Sequence, residues 1–179
     1  MAIVTSAEIT RTGLTTQAYW NVYNLINNRS NVKDPHTNGA SGKREFVYSR
    51  EPDLGLGFQG YPLIIIHPVV PAFGRKTIGM TRKEVNWKVL MEVRNNDTFG
   101  KERAGIDPRG RGLSQLDSIS DEVLSTLNSK SNRETLQTYG MYSVNPEVRS
   151  TDTIETENEV VYVREIDLTF NNALMTVSA

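Results

Sequence analysis

The sequence predicts an α+β fold: a mostly antiparallel sheet with two helices packed on one face, long loops and a C-terminal β-hairpin. Three observations point there. Glu84–Arg94 alternates, with Val85, Trp87, Val89, Met91 and Val93 on one side and Asn86, Lys88, Glu92 and Arg94 on the other. Two segments instead repeat their apolar residues at helical spacing. The order helix, strands, helix, strands then suits a sheet covered by helices on one side.

In the first helix, Thr15–Asn28, Ala18, Val22, Leu25 and Ile26 form the apolar stripe, with Thr15 or Thr16 as the cap. Residues 29–60 are rich in turn formers and read as a long loop, broken only by the strand-like Glu45-Phe46-Val47-Tyr48. Tyr61–Pro71 reads as a strand. Its run Leu63-Ile64-Ile65-Ile66 is apolar on both faces, so helices are expected on one side and another layer, or another subunit, on the opposite side. A second long loop is expected over 95–113, where Gly100, Gly105, Gly110 and Gly112 interleave with basic residues. The second helix is placed at Ser114–Asn128, with Leu116, Ile119, Val123 and Leu127 as its stripe and Ser114 and Asp117 as a shortened capping box. The closing hairpin has arms Leu136–Val144 and Val160–Phe170, joined by an exposed acidic connection, 145–158.

The 179 residues, 37% hydrophobic and 23% charged, have the length and composition of one folded domain spanning 1–179. With no cysteine there is neither a disulfide framework nor a thiolate metal site. The first eight residues have no basic leader, and Leu63–Val70 is too short to span a bilayer. A soluble chain made in the cytoplasm is expected. The net charge of −1 argues against a dedicated DNA-gripping module, yet the charge is segregated. Residues 71–113 hold ten Lys/Arg against five Asp/Glu, and residues 114–179 hold four against eleven. Such separation suits head-to-tail association of like subunits, or two differently solvated faces on a monomer.

Chemistry is sparse in the pattern. His36 lies in a polar segment, and His67 reads as a hydrogen-bonded histidine at a strand end more readily than as a catalytic base. Gly105–Gly110 has the glycine spacing of a phosphate loop, but Arg111-Gly112 stands where Lys and Ser or Thr are needed, and Pro108 removes a donor. Gly-x-Ser-x-Gly does not occur. Asp117 and Asp121 share a helix face, an arrangement open to acid/base work but met more simply as first-turn acids favouring the helix dipole. Lys101, Arg103, Arg109 and Arg111, near Phe99, suit either phosphate or protein contacts. No catalytic residue, metal or cofactor is expected.

The helix Thr15–Asn28, the strands Tyr61–Val70 and Glu84–Arg94, the helix Ser114–Asn128 and the hairpin Leu136–Phe170 together give an order of elements that resembles the tail-terminator or tail-completion proteins of long-tailed bacteriophages. The long loops at 29–60 and 95–113 depart from that family's compact members. The resemblance implies a virion subunit of the tail or neck, forming a ring of six that caps the tail tube, ends its polymerisation and joins it to the head. Its partners would be copies of itself, the tube protein and head–tail connector proteins, with DNA passing transiently through the channel and no membrane involved. On that reading Lys101, Arg103, Arg109 and Arg111 are candidates for docking onto a neighbouring ring. Asp117, Asp121, Glu122, Asp152, Glu155 and Glu157 are candidates for lumen or subunit contacts. A head–tail connector is the near alternative, and a small enzyme or ligand-binding domain the distant one.

Overall fold

Residues 13–28, 46–52, 60–78, 82–96, 108–155, 157 and 159–175 are described in the computed structural model. In chain order they form α1 (Gly13–Asn28), β1 (Val47–Tyr48), β2 (Leu63–Ile66), β3 (Val70–Ile78), β4 (Arg82–Asn96), α2 (Pro108–Asn128), α3 (Lys130–Thr138), β5 (Tyr142–Glu155) and β6 (Val160–Met175). The strands lie side by side in the order β1-β2-β4-β6-β5, and β3 joins β4 on the same side as β2. Among the described strands only β1–β2 is a parallel pair. The fold is α+β.

The alternation along β4 decides what the sheet buries. Val89, Met91 and Val93 turn to the helices and are fully buried. In register beside them stand Ile166 and Leu168 of β6 and Ile64 and Ile66 of β2. Ala18, Val22, Leu25 and Ile26 of α1 complete one continuous core with Leu116, Ile119, Val123 and Leu127 of α2. Each fully buried aliphatic side chain there contributes roughly 1.5–3 kcal/mol. All the helices therefore cover the same face.

Leu63 and Ile65 point to the other face, where they form a small cluster with Tyr48 against Tyr61. They are 1% and 0% exposed in a single copy. Of the two coverings expected for the second face of β2, another layer or another subunit, no subunit is required: one chain already buries both of its faces.

Several boundaries move. β2 and β3 are two lengths of one ribbon along β4, interrupted at His67-Pro68-Val69, because Pro68 has no N–H to give the ladder. His67 N donates to Leu90 O at 2.9 Å and keeps the interrupted ribbon attached. The 95–113 loop is shorter than expected, since Asn95 and Asn96 end β4 and α2 begins at Pro108. Proline suits a first helical position, where no intrahelical N–H bond is lost. Residues 29–45, 53–59 and 97–107, which hold the rest of the two expected loops, lie outside the described residues.

The hairpin arm expected at Leu136–Val144 is also corrected. Leu136 belongs to a third helix, α3, whose N-cap Ser129 accepts from Asn132 N at 3.3 Å. It ends in a Schellman turn: Gly140 takes φ +80°, its N–H donates to Gln137 O at 2.9 Å, and Met141 N–H donates to Leu136 O at 3.1 Å. Leu136 and Met141, the two side chains that flank this turn, are both buried. The expected exposed connection is instead most of β5, paired with β6 from Tyr142↔Asn171 to Glu155↔Val160.

Candidate functional site

The sheet face away from the helices carries a polar cluster beside the Leu63–Ile65 patch. Glu92 of β4 sits at its centre. Arg94 Nη2 approaches Glu92 Oε2 at 2.6 Å and Arg94 Nε at 2.9 Å, while Arg94 Nη1 reaches Glu51 Oε1 at 2.5 Å. His67 Nε2 stands 2.7 Å from Glu92 Oε1. Contact with His67, and then with Arg94, holds the Glu92 carboxyl at about 2, against the opposing effect of burial. A carboxylate held this firmly in its charged form is a poor proton acceptor near neutral pH. The cluster fastens the β2–β3 break and the Glu51 segment to β4. Farther along the same face, Lys88 Nζ meets Asp167 Oδ2 at 3.1 Å across β4–β6.

The six acidic candidates are not brought together. Asp117, exposed on α2, is engaged within its own chain: Arg164 Nη1 lies 2.6 Å from its Oδ1, and Arg164 Nε donates to Thr151 Oγ1 at 3.2 Å. Asp121 is exposed one turn on and Glu122 is half-buried. Because α2 begins at Pro108, neither aspartate is in its first turn, and the dipole explanation for them is withdrawn. Asp152 pairs in register with Val163, on the face away from the helices, and accepts from Ser150 Oγ at 3.0 Å. Glu155 pairs with Val160, on the helix side, and Glu157, beyond the end of β5, is exposed.

The basic candidates divide as well. Lys101 and Arg103 lie outside the described residues. Arg109 and Arg111 belong to the first turn of α2 and not to a loop, which corrects their placement. The glycine beside them serves packing: Asn95 Nδ2 donates to Gly112 O at 3.0 Å, a buried bond tying the helix start to the end of β4.

What sequence reasoning missed is β5 itself. It is an edge strand, bonded to β6 and to no other strand among the described residues. From Asn145 to Glu155 none of its residues is buried, whichever face they take. Tyr142, Val148 and Ile154 are 46%, 42% and 48% exposed. An edge that presents large apolar side chains and free backbone groups can add a further strand. Its signal in the sequence is faint, because a strand exposed on both faces has no hydrophobic alternation. No helix among the described residues is long and apolar enough to cross a membrane.

No protein-family model matches this chain, and no curated protein matches it.

Proposed function

We infer that this chain is a structural subunit that assembles with copies of itself into a ring. The ring closes the tail tube of a long-tailed phage, ends its polymerisation and joins it to the head, leaving a channel for DNA. One observation carries the self-assembly: β5, an open edge strand with Tyr142, Val148 and Ile154 exposed along it. The role in the tail rests on the order of elements, a helix, strands, then helices and a closing pair of strands, that resembles the tail-terminator proteins. The chain acts through its surfaces and needs no catalytic group. Its partners on this reading are its own copies, six to a ring, the tube protein and the connector of the head.

Electron microscopy of the purified chain, alone and with the tube protein of the same particle, tests this reading. Closed rings with an open centre, seated at tube ends, are expected. Tubes that keep growing and stay bare in the presence of the chain would overturn it.

A further inference from the structure

We propose that β5 of one copy pairs edge to edge with β3 of the next, so that one antiparallel sheet continues from subunit to subunit. This rests on the ring reading and adds which two surfaces meet.

The edges narrow the choice. At β1, the helix α1 closes the sheet: Tyr19 Oη donates to Ser49 O at 2.5 Å and Tyr23 Oη to Val47 O at 3.4 Å. Among the described residues β3 bonds only to β4, and β5 only to β6. Within the described residues those two strands are left with an unpaired side.

Strand direction fits. β3 is antiparallel to β4, β4 to β6 and β6 to β5, so β3 and β5 run in opposite directions. A second copy in the same orientation brings its β3 antiparallel to β5, the ladder that the rest of this sheet uses.

Charge selects the pairing. Residues 70–83, spanning β3 and the start of β4, carry Arg75, Lys76, Arg82 and Lys83 and no acid. Residues 150–159 carry Asp152, Glu155, Glu157 and Glu159 and no base. β5 against β5 would set acids beside acids, and β3 against β3 bases beside bases. Between the stretches Ser150–Glu155 and Arg75–Ile78 the mixed junction sets opposite charges together, while Glu147 and Arg149 lie in the irregular half of β5.

Backbone regularity locates the junction. Pro146 and two register shifts, at Tyr142/Asn145 and Val148/Ser150, spoil the first half of β5 as a template. Ser150–Glu155 is unbroken. β3 has the same division, irregular between Pro71 and Arg75 and regular over Arg75–Ile78. The two regular stretches are the ones that hold the opposed charges. They also sit at opposite ends of β4: Arg75–Ile78 beside Arg82–Val85, and Ser150–Glu155 at the level of Glu92–Asn96. Pairing them staggers each copy along the strands, the kind of tilt by which a sheet closes on itself instead of extending flat.

The test uses two charge-reversed chains, R75E/K76E and D152K/E155K, with sedimentation velocity at low ionic strength. Each alone is expected to stay monomeric, with a dissociation constant at least about tenfold higher than the parent's. Mixed in equal amounts they are expected to assemble again, since every junction then has opposite charges. Far-UV circular dichroism identical to the parent's establishes that each is folded. Should a reversed chain misfold, the neutral pair D152N/E155Q replaces it, with weakened assembly and a flattened salt dependence expected. Reversed chains that assemble like the parent, or a mixture that stays monomeric, would overturn the edge pairing and leave the ring itself standing. A parent chain that never assembles removes both.

Discussion

Gly112 of α2 lies against the ring of Tyr162 on β6, so closely that a Cβ added at Gly112 would stand 2.7 Å from Tyr162 Cε2 and 3.0 Å from Asn96 O. The helix enters the sheet at a distance only glycine permits. Gly112→Ala is expected to destabilise the fold by about 1–3 kcal/mol through overpacking, although alanine is the better helix former. Urea unfolding of the variant checks this. In a Tyr162→Ala background the same change is expected to cost less, since the obstructing ring is gone.

Glu92 sets a pH dependence. Its folded pKa of about 2 lies below the usual carboxylate value, so in acid the unfolded chain binds the proton more readily than the folded one. The stabilisation is fully present above the unfolded value near 4.5 and is lost as pH falls toward 2. Glu92→Gln is expected to be about 2 kcal/mol less stable near neutrality, a deficit that closes across that acid window. Denaturant titrations of both chains from pH 6 to pH 2 measure it; a deficit that stays constant with pH would contradict the assignment.

Gly140, at φ +80°, lets the last turn of α3 close onto Met141. Gly140→Ala is expected to cost about 1 kcal/mol, because a Cβ disfavours that conformation. Thermal unfolding reads the loss directly.

Asp117 faces Arg164 from a largely exposed position. Asp117→Asn is expected to lower stability by less than about 1 kcal/mol, and added salt is expected to shrink the difference. A larger loss that salt does not touch would mean the aspartate does more than pair with Arg164.

How far these features can be read in the sequence follows from what each residue faces. β4 and most of β6 announce themselves because one side is buried and the other is not, as Val89, Met91 and Val93 alternate with Leu90, Glu92 and Arg94. The stripes of α1 and α2 are legible for the same reason. The start of α2 is obscured because Gly110 and Gly112 suggest a loop, although Asp107-Pro108 is itself a helix-start signal. In α3 Leu136 is the only buried residue, so no stripe marks it. β5 is exposed on both faces and shows no period. The acids suffer from distance: nothing near Asp117 in the chain points to Arg164, which reaches it only after β6 has folded beside α2.

Self-assembly through an unpaired sheet edge is the claim on which the functional account stands, and native mass spectrometry of the purified chain over a range of concentrations tests it most directly. A closed oligomer of one fixed copy number, six on the family resemblance, is the predicted spectrum. A single species at the 20.1 kDa mass of one chain, unchanged at the highest concentration, would contradict it.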